Sequence, residues 1–160
     1  GIAIMKVELI VVGKTTDKLL SKAIEDYTGR ISHYMHFSIT VIPELKNTKS
    51  LTEEQQKEKE GQLILKAIQP SDTLVLLDEH GKEFRSIELA SWLEKKKSTS
   101  RKLVLLIGGP YGFSPEVYAR GNERLSLSKL TFSHQMIRLI ITEQLYRACT
   151  IIKGEPYHHE

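Results

Sequence analysis

The sequence predicts a single-domain α/β protein with a mostly parallel sheet and helices on both faces. Strand and helix patterns alternate along the 160 residues, as they do in βα units. Three expected strands, at residues 9–12, 74–77 and 103–107, are apolar without alternation, and burial on both faces of a parallel sheet explains such runs. No repeat or low-complexity linker interrupts the chain, so we expect one domain over residues 5–160. We interpret residues 1–4 as a remnant of cloning.

The apolar periodicity predicts five strands and five helices. The strands are expected at residues 6–12, 37–42, 73–78, 102–107 and 124–127. The helices are expected at residues 18–32, 51–68, 86–97, 115–120 and 134–152. Ser50 with Glu53 resembles a capping box for the second helix, and Ser114 before Pro115 predicts the start of the fourth. The sequence Gln-Pro-Ser-Asp at residues 69–72 ends the second helix, because proline restricts the residue before it.

Composition narrows the class of protein. The chain is 40% apolar, enough for one core, and its net charge of +3 is only mildly basic. No apolar run approaches the roughly 18 residues of a membrane span, and Met5 opens onto a strand instead of a secretory signal. The single cysteine, Cys149, cannot form a disulfide framework or a metal site, and we interpret it as a core residue. These features predict a cytoplasmic protein with no membrane segment and no metal.

The sequence Leu-Ile-Gly-Gly-Pro-Tyr-Gly at residues 106–112 joins an apolar strand to a helix start. It does not match a dinucleotide fingerprint, because Ile107 occupies the first glycine position and the loop follows the fourth strand. It does not match a P-loop, because Phe113 and Ser114 stand where lysine followed by serine or threonine is required. The chain also lacks G-x-S-x-G and H-E-x-x-H. By itself the loop is therefore either a structural turn or a ligand loop.

Several stretches together resemble a known family. They are LIGGPYGFSP at residues 106–115, LSLSKLTFSHQMIRLIITEQLYRA at residues 125–148 and the tail GEPYHHE at residues 154–160. MKVELIVVGK, KEKEGQLIL and TLVLLDEHGK also fit in order and spacing. These stretches resemble the SPOUT superfamily of methyltransferases, and within it the bacterial enzymes that methylate N3 of a pseudouridine in 23S ribosomal RNA. The resemblance spans nearly the whole chain.

The resemblance implies that the cofactor is S-adenosylmethionine, held by loops of a C-terminal trefoil knot. The implied cofactor residues are Leu77 in one loop, Gly108 and Gly109 in the second, and Leu127, Ser128, Lys129, Leu130, Thr131 and Phe132 in the third. Glycine lets the backbone approach a ligand closely, so a side chain at position 109 is expected to project into the cofactor slot. Direct methyl transfer requires no metal.

The same resemblance implies an RNA site built from the C-terminal part of the chain. The candidate catalytic residues are His134, Arg147, Tyr157 and His158, and the candidate substrate-binding residues are Arg138 and Lys153. The implied substrate is 23S ribosomal RNA in the assembled ribosome. The implied assembly is a homodimer whose active site draws on both subunits. The helix at residues 134–152 is apolar on more than one side, which also favours packing against a second chain.

Simpler interpretations remain open at this point. His134 is also typical of a structural first-turn residue, Glu143 with Arg147 of a surface ion pair, and the tail of a flexible end. Ser133 stands where the family commonly has proline. It suits an N-cap, and it also fits an RNA-binding module that has lost turnover. A flavodoxin-like nucleotide-binding protein and a SPOUT enzyme that acts on tRNA are two further interpretations of the chain.

Overall fold

The computed structural model describes residues 5–159, so the interpretation of residues 1–4 falls outside the described residues. Its strands are β1 (Lys6–Val12), β2 (His36–Ile42), β3 (Thr73–Glu83), β4 (Lys102–Leu106) and β5 (Glu123–Ser126). Its helices are α1 (Lys18–Ile31), α2 (Glu53–Lys66), α3 (Ser86–Thr99), α4 (Pro115–Arg120) and α5 (His134–Lys153). The predicted α/β class and the order of the elements are confirmed.

The strands form one five-stranded sheet in the order β2-β1-β4-β3-β5. All four neighbouring pairs within residues 5–159 are parallel, which sharpens the prediction of a mostly parallel sheet. Because the strands are parallel, the segments that follow β4 and β5 lie at the same edge as the part of β3 that begins at Leu77. These are the three segments that carry the expected cofactor residues.

Helices cover both faces of the sheet, as predicted. On one face, Leu9 and Leu105 pack with Leu145 in a core that α1, α3 and α5 close. On the other face, Leu76 packs with Ile64 in a core that α2 and α4 close. Burial of each leucine or isoleucine side chain stabilises the fold by about 1.5–3 kcal/mol. The cores on both faces of the sheet therefore contribute to its stability.

The start of α2 differs from the expectation. Residues Thr48–Ser50 form a short 3₁₀ turn and Leu51 is extended, so Ser50 cannot cap the helix. Thr52 does so instead: its hydroxyl accepts the Gln55 N–H at 3.1 Å, and the Gln55 side chain accepts the Thr52 N–H at 2.9 Å. A capping box is therefore present, but it begins at Thr52 instead of Ser50, because Ser50 belongs to the 3₁₀ turn.

The expected starts of α4 and α5 are confirmed. The hydroxyls of Ser114 and Ser133 accept the backbone N–H groups that begin α4 and α5, and Gly154 ends α5 with φ 70°. Cys149 is buried, and this burial raises the pKa of its thiol to about 11. Among residues 5–159, no helix is long and apolar enough to cross a lipid bilayer.

Candidate functional site

A cavity of about 410 Å³ lies at the edge of the sheet where β3, β4 and β5 end. Three chain segments enclose it, namely the bulged part of β3 and the segments that follow β4 and β5, and the first turn of α5 closes it. The expected cofactor residues that line it are Leu77, Gly108, Gly109, Leu127, Ser128, Leu130, Thr131 and Phe132. The structure therefore brings together, in one cavity, residues from three separate parts of the sequence.

The first wall of the cavity is a bulge in β3. The register of β3 against β5 shifts between Leu77 and Lys82, so residues 78–81 of β3 are not paired with β5, and residues 78–80 line the cavity. Asp78 accepts the Tyr118 hydroxyl at 3.2 Å and the His80 N–H at 3.0 Å. Burial, then the charge of Asp78, raises the pKa of the Tyr118 phenol. The wall thus presents a carboxylate with a neutral hydroxyl beside it.

The second wall is the loop after β4, residues 107–113. The Gly112 N–H donates to the Gly109 oxygen at 3.1 Å and closes the turn. The expectation that a Gly109 side chain would project into the cavity is wrong. A Cβ built there would meet the Glu60 carboxylate, whose carbon would lie 2.9 Å away, behind the loop. Gly108 and Gly109 therefore leave room for neighbouring side chains of the protein as well as for the cavity. A Cβ on Gly108 would lie 2.8 Å from the Phe113 ring.

The third wall is the segment after β5, residues 127–132. The Ser128 hydroxyl accepts the Leu130 N–H at 2.9 Å and fixes the turn. Leu130 is 72% exposed although it borders the cavity. Lys129 is the exception among the expected cofactor residues: it does not line the cavity, and its ammonium lies 3.8 Å from Glu83 in a solvent-exposed pair.

The start of α5 places an imidazole at the cavity. Ser133 caps the helix by accepting the Met136 N–H at 3.1 Å, so serine serves in place of the family's proline. His134 is exposed and lines the cavity together with Ile137. His134 is therefore the candidate catalytic residue that lies at the expected cofactor site of its own chain.

Arg138 lies inside the fold, which corrects the expectation that it binds RNA. It is 3% exposed. Its guanidinium donates to the Val12 oxygen at 2.8 Å, to the Gly13 oxygen at 3.0 Å and to the Thr15 hydroxyl at 3.0 Å. Burial lowers the pKa of this guanidinium, and the charge of Glu44 opposes the shift. The physical role of Arg138 is to fix α5 against the loop that follows β1.

Replacing Arg138 by methionine is expected to destabilise the protein by about 2–4 kcal/mol, because buried carbonyl oxygens lose their donors. Urea unfolding followed by circular dichroism measures the change. Arg101→Met, at an exposed position, is the matched control and should cost less than about 0.5 kcal/mol. Equal stability of the two variants would contradict the structural role of Arg138 and favour an RNA contact.

The tail after α5 is anchored, so it is not a flexible end. The Tyr157 hydroxyl donates to Glu143 Oε1 at 3.0 Å, and Arg147 binds the same oxygen at 2.5 and 3.1 Å. Arg147 Nη1 lies 3.1 Å from His158 Nδ1. Since the Glu143 and Arg147 side chains are only 19% and 24% exposed, they are more than a surface ion pair. We call Glu143, Arg147, Tyr157 and His158 the tail cluster.

Tyrosines hold the tail cluster against the helices. The Tyr157 ring centre lies 4.7 Å from that of Tyr146, and the Tyr34 hydroxyl donates to Glu155 at 2.6 Å. The bond to Glu155 raises the pKa of Tyr34 to about 12, and burial raises that of Tyr157. Tyr157 therefore stays protonated near neutral pH, so it can serve as a hydrogen-bond donor or as a ring, but not as a base.

The tail cluster and the cavity are far apart within one chain. At about 1.5 Å per residue, α5 rises about 20 Å between His134 and Arg147. The tail folds back only as far as Glu143, still about 14 Å along the helix from His134. Lys153 is exposed in the last turn of the helix, near the tail cluster. One chain thus carries two separate groups of candidate residues.

Sequence reasoning missed several residues at or behind the cavity, among them Asp78, Tyr118 and Glu60. Asp78 directly follows an apolar strand, and that position was a usable signal, since the carboxyl ends of parallel strands form ligand sites. Tyr118 lines the cavity from α4, and nothing in its local sequence indicates this. Glu60 contacts the loop after β4 from α2, forty-nine positions earlier in the chain. Only the packing of the helices on the sheet brings Glu60 to that loop.

The cavity is suited to a small molecule with apolar and polar parts. Its walls offer apolar side chains, the backbone groups of glycine-rich turns and the Asp78 carboxylate, a typical composition for a cofactor site. Among residues 5–159, no group of three His, Cys, Asp or Glu side chains is arranged to hold a metal ion.

A parallel sheet with a cavity enclosed by a bulged strand and the segments after its two neighbours is typical of small-molecule-binding α/β proteins. The family model described as "Predicted SPOUT methyltransferase" matches residues 5–158, and the chain belongs to this family. Proteins named ribosomal RNA large subunit methyltransferase H, from Phocaeicola vulgatus and Bacteroides fragilis, are each 62% identical over 157 residues, which cover 98% of this chain and 100% of theirs. A protein of the same name from Christiangramia forsetii is 54% identical over 97% of this chain and 99% of its own.

Membership of the SPOUT methyltransferases excludes the flavodoxin-like nucleotide-binding interpretation. A solved structure from Legionella pneumophila, described as a candidate methyltransferase in complex with S-adenosylmethionine, covers 88% of this chain and 65% of its own with a TM-score of 0.49 and 12% identity. It is too distant to bear on the details of the site.

Proposed function

We propose that this protein transfers the methyl group of S-adenosylmethionine to N3 of a pseudouridine in 23S ribosomal RNA, in the cytoplasm and on the assembled ribosome. The observation that carries the proposal is the cavity of about 410 Å³ between three loops, in a chain that belongs to the SPOUT methyltransferases. Relatives that are 54–62% identical over almost their full length are named as methyltransferases of large-subunit ribosomal RNA. Because these relatives match this chain over almost its full length, they support large-subunit ribosomal RNA as its substrate.

The residues of the cavity fit the cofactor by their chemistry. Leu77, Leu127 and Phe132 offer apolar walls, and the turn backbones at residues 108–112 offer N–H and C=O groups for an adenine edge. The carboxylate of Asp78 is suited to a hydroxyl or ammonium group of the ligand. When bound, S-adenosylmethionine supplies a methyl carbon that the adjacent sulfonium makes electrophilic. The walls hold the ligand in one orientation, which is the main contribution of a rigid site to such a transfer.

The protein must also accept the proton that leaves N3. His134 and His80 both line the cavity, and we propose His134, which the family resemblance implies, as the general base, a role worth about 10²–10⁴-fold in rate. Arg147, Tyr157 and His158 hold or stack on the RNA in this proposal, and Lys153 neutralises phosphate. The two groups of residues meet only if the tail cluster of one subunit lies over the cavity of another.

We also propose the C-terminal trefoil knot of the superfamily. The chain leaves β5 at one edge of the sheet, forms the third wall of the cavity at residues 127–132, and continues into α5, which packs on α1. This return across the ends of β3 and β4 supports a path that threads the preceding loops, although most folds avoid such a crossing.

A homodimer is expected at micromolar concentration. The separation of the tail cluster from the cavity supports it, and so do large apolar side chains exposed around the cavity: Tyr111, Leu130 and Met136 are 43%, 72% and 38% exposed. Light scattering should give twice the 18.3 kDa mass of one chain. A monomer at that concentration would contradict the two-subunit site.

The proposed reaction is tested by incubating the protein with labelled S-adenosylmethionine and ribosomes and then mapping the modified nucleotide. Label at N3 of one pseudouridine in 23S ribosomal RNA is the expected result. Labelled tRNA would instead favour another SPOUT enzyme. Cofactor binding without label in any RNA would favour an RNA-binding module that has lost turnover.

A further inference from the structure

The motif KEKEGQLIL has no role in the proposed reaction, yet its helix contacts the cofactor loop at two points. Glu60 and Gly61 are neighbours on α2. The Gly109 N–H donates to Glu60 Oε1 at 3.0 Å. One residue further along α2, a Cβ built on Gly61 would lie 2.5 Å from the hydroxyl oxygen of Ser114. The helix therefore lies against the first and the last parts of the loop at residues 108–114.

The two contacts are reciprocal. The Glu60 carboxylate occupies the space that a Cβ on Gly109 would need, and the Ser114 side chain occupies the space that a Cβ on Gly61 would need. Ser114 in turn caps α4 by accepting the Val117 N–H at 3.3 Å. We call this arrangement the α2 interlock. Close packing of this kind transmits displacement, because protein interiors are dense and hardly compressible.

Glu60 differs from the acidic residues earlier on α2. Glu53, Glu54 and Glu58 are exposed, as expected on a solvated face, whereas Glu60 is half-buried. Burial raises the pKa of the Glu60 carboxyl, and the Gly109 N–H opposes that shift. A carboxylate that accepts a backbone N–H makes a charge-assisted bond, stronger than a neutral one. The Gly109 N–H thus gives the acceptor oxygen at this half-buried position a partner in the loop.

We propose that Glu60 is a positioning residue for the cofactor: through the α2 interlock it sets the conformation of the loop at residues 108–114. Glu60 does not line the cavity, so it acts through Gly109 and not by touching the ligand. The inference rests on the proposed function only in naming S-adenosylmethionine as the ligand. The interlock itself involves no cofactor.

The test is a double-mutant cycle on the full-length protein, with S-adenosylmethionine affinity measured by calorimetry. Glu60→Ala and Gly109→Ala are each expected to weaken binding about tenfold, because a loop displaced by a fraction of an ångström misplaces its backbone groups. In the double variant the new Cβ fills the space that the carboxylate leaves. The double variant should therefore bind S-adenosylmethionine no more weakly than either single variant, which is a non-additive result. Glu60→Gln, which keeps an acceptor oxygen, should stay within a few-fold of the original protein.

Glu58→Ala, on the exposed side of the same helix, is the control and should bind normally. Hydrogen exchange of the Gly109 amide gives a second readout that needs no cofactor. It should be slow in the original protein and in Glu58→Ala, and fast in Glu60→Ala. Unchanged exchange and affinity in Glu60→Ala, or losses that multiply in the double variant, overturn the proposal. If the original protein binds no S-adenosylmethionine, the proposed function fails, and the exchange measurement still decides whether Glu60 holds the loop.

Discussion

Removal of residues 157–160 is expected to abolish most methylation of ribosomes while S-adenosylmethionine affinity stays within a few-fold of normal. The tail contacts Glu143, Arg147 and Tyr146 near the C-terminal end of α5, and none of the described tail residues lines the cavity of its own chain. Calorimetry with S-adenosylmethionine and label transfer to ribosomes measure the two effects separately.

A matched variant separates the ring of Tyr157 from its hydroxyl. Tyr157→Phe keeps the ring contact with Tyr146 and loses the hydrogen bond to Glu143. If the ring stacks on a base, this variant should retain much more activity than the truncated protein. Full methylation by the truncated chain would remove the tail from the substrate site. Loss of cofactor binding would move the role of the tail from substrate to cofactor.

Replacing Gly109 by valine is expected to eliminate S-adenosylmethionine binding from a protein that still folds. The Cβ would overlap the Glu60 carboxylate, and two further methyl groups would enlarge the conflict. Overpacking of this kind costs about 1–3 kcal/mol, which a domain of this size tolerates. The loop must shift, however, and a displacement of about 1 Å at a site costs about 10²-fold in function.

The comparison variant is Gly29→Val on α1. A Cβ at Gly29 meets nothing within 4 Å, so this variant shares the change of residue but not the clash. It should bind S-adenosylmethionine normally. Circular dichroism establishes that both proteins are folded. Normal affinity in a folded Gly109→Val protein would exclude the loop at residues 108–112 from the site.

Combining the two inactive chains tests the shared site directly. If the tail cluster of one subunit serves the cavity of its partner, a heterodimer of the truncated chain and the Gly109→Val chain has one complete site. Co-expression of the two chains should therefore restore part of the methylation. If each tail serves its own cavity, the mixture stays inactive, and the two-subunit site is wrong.

Much of the fold follows from local sequence patterns. Unalternating apolar runs mark the interior strands because a strand covered on both faces has no solvent side. Ser114 and Ser133 mark helix starts because their hydroxyls satisfy free backbone N–H groups, and the structure confirms both. The same logic failed by two residues at α2. There Ser50 and Thr52 are both capping types, and only the 3₁₀ turn that contains Ser50 decides between them.

The residues of the cavity were predictable only through the family resemblance. Leu77 lies within β3, whereas Gly109 and Leu127 follow β4 and β5, and no spacing rule connects the three. At two positions the structure places the side chain away from the site that the resemblance implies. Lys129 and Arg138 are both basic and near the third loop, but one faces solvent beside Glu83 and the other is buried against carbonyl oxygens. Sequence shows that a charge is present, whereas the direction of its side chain depends on the elements packed around it.

The sequence by itself determined the α/β class, the order of the elements and the place of the glycine-rich loop after β4, because each depends on neighbouring residues. The tertiary structure alone decided what those glycines contact, since Glu60 reaches Gly109 only after α2 packs on the sheet. It also decided that the tail cluster and the cavity lie apart within one chain. Local patterns describe single elements, and the distances between residues on different elements are set only when the elements bury their apolar faces together.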